Sequence, residues 1–216
     1  MIRLKSLYFG YPTKVNLLDE LDFAFKRSDR IGIIGPNGCG KTTLFYIIMG
    51  LLRPCTGEVE IFGKERSSDI DFQEVRQRIG FLFQNSDDQL FCPSVLEEVA
   101  FGPLNFGMNR QKAREISKKA LKNVGLKEFE TRPPYNLSGG EKRRLALATI
   151  LVLKPEILLL DEPTIGLDKE TIDKIIEILN KPDHSHIIIS QNRDFLKKTV
   201  DVVYTFEKGK MRLFTD

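Results

Sequence analysis

Apolar residues in the first part of the chain recur at every second position. Ile2 and Leu4 alternate with Arg3 and Lys5, and Leu21, Phe23 and Phe25 alternate with Asp22, Ala24 and Lys26. A period of two gives a strand with one buried and one wet face. Arg30–Ile34 is a short apolar run that stops at Gly35, Val59 and Ile61 lie between Gly57 and Gly63, and 79–83 is apolar again. Each predicts a strand. Residues 41–52 read as a buried helix ended by Pro54.

The pattern changes after Gln84. Residues 94–125 read as helical, with Ala113, Ile116, Ala120, Leu121 and Val124 on one stripe and Arg and Lys on the other face. Pro133 and Pro134 close this stretch. Helices over 139–153 and 169–179 then alternate with strands over 157–160, 187–190 and 202–206. Strands separated by helices predict a parallel α/β sheet. The expected organisation is one domain over 1–216. An α/β core with an antiparallel β start occupies 1–84 and 136–216, and a helical insert occupies about 85–135.

Composition adds exclusions. The 216 residues are 41% hydrophobic and 29% charged, which rules out a disordered or collagen-like chain. A net charge of +3 gives no electrostatic case for nucleic acid as a ligand. No apolar run approaches the roughly 20 residues that span a bilayer, and the N-terminus lacks a signal-peptide pattern. Three cysteines, Cys39, Cys55 and Cys92, show neither disulfide arithmetic nor metal spacing, and His184 and His186 lie far from them. A reducing cytoplasm is the expected compartment.

The sharpest chemical signal is Gly35-Pro36-Asn37-Gly38-Cys39-Gly40-Lys41-Thr42, which fits G-x-x-x-x-G-K-[ST] between a strand and a helix. Glycines let successive N–H groups curl around phosphate oxygens, and the next helix adds its positive end. Lys41 would reach the β and γ phosphates and Thr42 would offer a hydroxyl to Mg²⁺. Cys39 suits a small filler in this loop, and its electropositive setting also suits a reactive thiol. The second signal is the apolar run 157–160 followed by Asp161 and Glu162. Ligands of open α/β sheets bind at that end of the strands. Asp161 would hold Mg²⁺ and Glu162 would polarise an attacking water; taken alone, the pair also suits an acidic turn. The third is Asn136-Leu137-Ser138-Gly139-Gly140-Glu141, where Ser138 and Glu141 have capping-box spacing. It reads either as a well-capped helix or as an anion site at a bare helix end.

Together these motifs resemble the ATP-binding cassette ATPases, the nucleotide-binding subunits of ABC transporters, over nearly the whole chain. The family's marks stand in order: Walker A at 35–42, a Q-loop at Gln84, the signature at 137–141, Walker B at 157–161 with Glu162, and a D-loop ending at Asp168. The resemblance implies a P-loop core with a parallel sheet, an N-terminal antiparallel β subdomain and an inserted helical subdomain. It implies ATP and Mg²⁺ as ligands. Gly35 through Thr43 would hold phosphate, and Tyr11 either stacks on the base or is a core aromatic. Thr42, Gln84 and Asp161 would serve the metal, and Lys41, Gln84, Glu162 and Gln191 hydrolysis. It also implies head-to-tail pairing with a second ATPase subunit, the same chain or a paralogue, so that Ser138, Gly139, Gly140 and Asp168 meet the partner's ATP.

Residues 84–91 followed by 100–105 look most like the ATPases of cobalt and energy-coupling-factor (ECF) importers. That implies a transmembrane coupling subunit, a substrate-capture membrane subunit and a place on the cytoplasmic face of the membrane. Phe91, Val95, Val99 and Phe101 would line the groove for the coupling subunit, although Val95 and Val99 equally have core spacing. Two departures stand out. Gln191 occupies the place where the family usually has histidine, which predicts slower hydrolysis, because an amide can donate a hydrogen bond but cannot carry charge. Relatives often run longer at the C-terminus, so an added regulatory domain is not expected in this chain. The 96 residues between Lys41 and Ser138 leave no room for the long coiled coil of chromosome-maintenance cassettes.

Overall fold

The computed structural model describes residues 1–12, 14–181 and 185–215. Two sheets organise the chain. The first is antiparallel, in the order β2-β1-β4-β5, from β1 (Ile2–Tyr11), β2 (Lys14–Phe25), β4 (Thr56–Ile61) and the short β5 (Lys64–Glu65). The second has the order β10-β9-β3-β8-β7-β6. Its strands are β3 (Arg30–Ile34), β6 (Ile79–Leu82), β7 (Ile157–Asp161), β8 (Ser185–Ile189), β9 (Val202–Glu207) and β10 (Lys210–Leu213). The five from β9 to β6 run parallel, and β10 is antiparallel to β9.

The apolar runs are continuous because both faces of the central sheet are covered. Ile157, Leu159, Ile187, Ile189, Ile31 and Ile33 point into one core with the antiparallel sheet and helix α1 (Lys41–Ile48). Leu158, Leu160, Ile188 and Leu82 point into the other, shared with α3 (Val95–Asn105), α4 (Arg110–Asn123), α5 (Gly139–Leu151), α6 (Lys169–Leu179) and α7 (Arg193–Thr199). Helix α2 (Asp69–Arg78) leads into β6 and closes the first core with Phe72 and Val75.

Several expectations need correction. The helix expected over 41–52 ends at Ile48, with Met49 capping and Gly50 in the left-handed region at φ 66°. A Cβ at Gly50 would collide with the Phe72 ring, so the chain turns there before reaching Pro54. The helical stretch 94–125 is two helices, parted where Gly107 takes φ 80° and Asn109 caps α4. The strand expected from residue 187 starts at Ser185. The elements β5, α2, α7 and β10 carry too few apolar positions to show a period. Val95 and Val99 are fully buried and belong to the core, whereas Phe91 and Phe101 are exposed and meet edge to face with 4.9 Å between ring centroids. His186 is a buried core histidine bonded to Thr199 O at 2.6 Å, and His184 lies outside the described residues.

Candidate active site

The carboxyl ends of β3, β7, β8 and β6 converge, so the loops that leave these strands face the same space. After β3 the chain curls through 35–40 into α1. The curl needs glycine: Gly35 and Gly40 have φ of 150° and 116°, and a Cβ on Gly35 would run into Phe206 O. Helix α1 has no side-chain cap and no acidic residue in its first turn. Its free N–H groups and positive dipole end therefore stay available to an anion. Lys41 folds back over the loop, its Nζ donating to Gly35 O and Pro36 O, each at 2.8 Å, with Cys39 Sγ at 3.9 Å. An ammonium has three donors, and all three have partners in the loop, so a ligand oxygen would take the place of one of them, the long contact to Cys39 Sγ first.

Thr42 Oγ1 donates to Asp161 Oδ2 at 2.6 Å, joining the start of α1 to the end of β7. Asp161 and Glu162 are both buried, and burial pushes both carboxyls up from their ordinary range. The Thr42 hydroxyl opposes that shift at Asp161; the Gln191 N–H and the Ser190 hydroxyl oppose it at Glu162. Glu162 takes a left-handed backbone, φ 47°, which costs a non-glycine residue about 1–2 kcal/mol. Its N–H donates to Ile189 O at 2.8 Å, and its Oε2 accepts from Gln191 N at 3.3 Å. Gln191 Nε2 donates to Gly35 O at 2.6 Å, which ties the turn after β8 to the phosphate-type loop.

A cavity of about 410 Å³ brings together Tyr11, Asn37, Gly38, Gly40, Lys41, Thr42, Thr43, Gln84, Asp161 and Glu162. Tyr11 stands at its edge, 36% exposed, with its hydroxyl 3.4 Å from Thr43 Oγ1; it is not a core aromatic. Gly35, Pro36, Asn37 and Gln191 line the adjoining cavity. The donor set of hydroxyl, carboxylate and amide oxygens suits a hard cation such as Mg²⁺, which typically takes one or two carboxylates plus substrate phosphate.

Ser138, Gly139, Gly140 and Asp168 are not in this cavity. Ser138 Oγ accepts from Glu141 N at 3.3 Å while Glu141 accepts from Ser138 N at 2.7 Å, a full capping box on an exposed helix end. Glu141 is held below the usual carboxylate range by those bonds. Asp168 caps α6 through Thr171 N at 2.8 Å. A Cβ on Gly139 would meet nothing within 4 Å, and one on Gly140 only Leu167 at 3.6 Å. Among the described residues no close contact requires glycine at either place.

Sequence reasoning missed Arg143 and Gln89. Arg143 is 4% exposed and its guanidinium lies against the ends of β6 and β7. Gln89 links Phe83 N to Ala146 O and the Thr149 hydroxyl on α5. Both bind main chain, and main-chain partners leave no mark in a sequence.

A parallel sheet with a glycine loop, an uncapped helix start and a buried carboxylate pair at its carboxyl edge defines a nucleoside triphosphatase of the P-loop class. Comparison with known proteins narrows the class. The model of the ABC transporter family matches residues 18–165. A putative ABC transporter ATP-binding protein of Nitratidesulfovibrio vulgaris is 45% identical over 97% of this chain and 77% of its own length. The energy-coupling factor transporter ATP-binding protein EcfA of Methanocaldococcus jannaschii is 44% identical over 98% of this chain and 77% of its own. Among solved structures, CbiO1 of Clostridium perfringens, part of the transporter complex CbiONQ, superposes with a TM-score of 0.84 at 32% identity. The match covers 98% of this chain and 86% of that one. A dimeric ATP-binding cassette in a post-hydrolysis state with ADP and Pi superposes with a TM-score of 0.89 at 27% identity, covering 100% and 98%. The chain belongs to the ABC transporter family. It is an ATP-binding and ATP-hydrolysing subunit with the P-loop ABC fold.

Proposed function

We propose that this chain energises a membrane importer of the ECF or cobalt type, which takes up a metal ion or a vitamin. The observation that carries the reading is the exposed Phe91–Phe101 pair on the segment that follows Gln84. An edge-to-face aromatic pair left in solvent suits docking of an apolar helix end from a membrane subunit. The names of the EcfA relatives and of CbiO1 support it. Among the described residues no helix is long and apolar enough to cross a membrane, so the spanning part belongs to other subunits in this reading. The chain would then work at the cytoplasmic face of the membrane.

Within the site, residues 35–43 cradle the phosphates, chiefly with main-chain N–H groups, and the ammonium of Lys41 neutralises developing charge on the γ-phosphoryl group. Tyr11 stacks on the base. Thr42, Asp161 and Gln84 would hold Mg²⁺, which supplies charge neutralisation and fixes phosphate orientation. Glu162 orients water and takes its proton as the new O–P bond forms and the bond from the γ-phosphorus to the bridging oxygen breaks, that oxygen leaving with ADP; its raised affinity for protons suits it as a base. Gln191 donates to the γ-phosphate. Catalysis of this kind rests on positioning and electrostatics.

Ser138, Gly139, Gly140 and Asp168 serve the ATP of a second subunit, a copy of this chain or a paralogue. The open space over Gly139, with only Leu167 near Gly140, supports this, since no close contact among the described residues calls for their missing side chains. ATP would hold the pair closed and hydrolysis would let it part, moving the membrane subunits. The test is reconstitution in vesicles with the coupling and capture subunits of an importer of this type, with uptake of cobalt, nickel or biotin. ATP-dependent uptake that Phe91→Ala/Phe101→Ala abolishes while ATPase activity persists is expected. Uptake that survives that pair of changes, or none with any solute, contradicts the reading.

A further inference from the structure

Arg143 lies on the second turn of α5 and offers five N–H donors in one plane, each without a side-chain acceptor. Its Nη1 donates to Phe83 O and, at 3.3 Å, to Gln84 O. Its Nη2 donates to Asp161 O at 2.6 Å and Glu162 O at 2.8 Å, and its Nε to Pro163 O at 3.3 Å. One guanidinium therefore spans two strand ends, that of β6, which leads into Gln84, and that of β7, which leads into Glu162. The chain at Phe83 is held a second time, at the preceding peptide, because Gln89 Oε1 accepts from Phe83 N at 3.2 Å while its Nε2 donates to Ala146 O at 3.0 Å. Lys142 adds an ion pair to Asp87 at 2.6 Å.

Burying a cation is expensive unless its donors are satisfied. Burial lowers the Arg143 pKa to about 10, and the charges of Asp161 and Glu162 oppose that. A cation is spent here on main-chain carbonyls, three of them from Gln84, Asp161 and Glu162, which line the cavity, and two from their neighbours Phe83 and Pro163. The left-handed turn of Glu162 is held at one end by its N–H to Ile189 O and at the other by its C=O to Arg143.

We propose that Arg143 is a positioning residue for ATP hydrolysis: it fixes the Glu162 carboxylate and the Gln84 segment to the helix that carries Ser138, so that the three move as one unit. It touches no substrate and acts through Glu162, so the inference rests on the role given to Glu162 above. It also links Gln89, through the chain at Phe83, to the turn that carries the water-activating carboxylate. Lysine cannot replace it, because a point-like ammonium cannot bridge two strand ends in one plane.

Steady-state ATPase activity, nucleotide affinity and melting of Arg143→Lys, Glu162→Gln and the double variant test this. For Arg143→Lys the expected result is ATP affinity within twofold of the starting protein, kcat reduced at least tenfold, and a melting temperature within a few degrees. In the Glu162→Gln background Arg143→Lys lowers kcat by less than twofold, since the carboxylate it positions is gone. Turnover within twofold of the starting protein, or losses of affinity and kcat that run in parallel and add fully to those of Glu162→Gln, overturn the inference. If Arg143→Lys melts early, Gln89→Leu decides. It should lower kcat about threefold at unchanged affinity, and unchanged kcat refutes the coupling. A Glu162→Gln protein that turns over normally would instead refute the role of Glu162. A normal loss in Glu162→Gln beside a silent Arg143→Lys refutes the role of Arg143 alone.

Discussion

Gly139→Ala separates what this chain needs from what its partner needs. Gly139 sits in the first turn of α5 without a positive φ, and a Cβ there would face open space. Replacing glycine by alanine in helical backbone reduces the freedom of the unfolded chain and stabilises by about 0.5–1 kcal/mol. The first turn warrants the lower end. At this chain length each kcal/mol moves the melting point by roughly 2–4 °C, so a rise of about 1–2 °C is expected. Function should move the other way. If the γ-phosphate of a second subunit approaches these amides, the added methyl holds it off by about 1 Å, and a misplacement of that size costs roughly 100-fold in rate. The assays are thermal melting without nucleotide and steady-state ATPase activity with saturating Mg-ATP. A fall in melting temperature of several degrees would show that the glycine serves the chain's own fold. Turnover within twofold of the parent would show that nothing approaches it. Either result refutes the reasoning.

Gln191→His restores a charge-bearing donor that reaches the same space as the amide now on Gly35 O, and turnover should rise at least twofold; an unchanged or lower rate in the ATPase assay counts against a γ-phosphate role for residue 191. Because burial raises the Glu162 carboxyl above its usual range, kcat should fall as pH drops through a value above 4.5, and an acid limb below 4.5 would contradict its service as a base. Glu74 is held down to about 2, first by Lys64 and then by Arg66, with Arg78 adding to them. A depressed carboxyl stabilises the fold above its unfolded value, and that contribution disappears as pH falls through the folded one. Glu74→Gln should therefore lower the melting temperature at pH 7, and the gap to the parent should close between pH 4.5 and about 2; a gap independent of pH would refute the ion-pair account.

The two strand-end motifs were legible because each is a residue-type rule tied to a local shape. Gly35 to Thr42 needs small residues and a helix start, and Asp161–Glu162 comes after four apolar residues that only a doubly covered strand explains. The capping box at Ser138 was equally readable, because its two partners lie three residues apart. Helix α2 was not, since Phe72 and Val75 are its buried apolar residues and give no stripe. Its start, Ser68 with Asp71, does carry a capping box, with aspartate in place of the usual glutamate. The ambiguity over Val95 and Val99 was physical: core and groove residues share one helical spacing, and only packing separates them. Arg143 stands in the run Lys142-Arg143-Arg144, which reads as a solvated basic face. Its partners are carbonyls 18 to 60 residues away in sequence, supplied by the topology of the sheet.

The central claim is that ATP is enclosed between residues 35–42 of one subunit and the Ser138–Gly140 tip of another. A structure of the Glu162→Gln chain with Mg-ATP and its ATPase partner tests it most directly. The account predicts phosphate among the loop amides and Lys41 Nζ, with the facing subunit's signature serine within hydrogen-bond distance of the γ-phosphate. Nucleotide bound elsewhere, or bound at the loop with the signature tips turned to solvent, would contradict it.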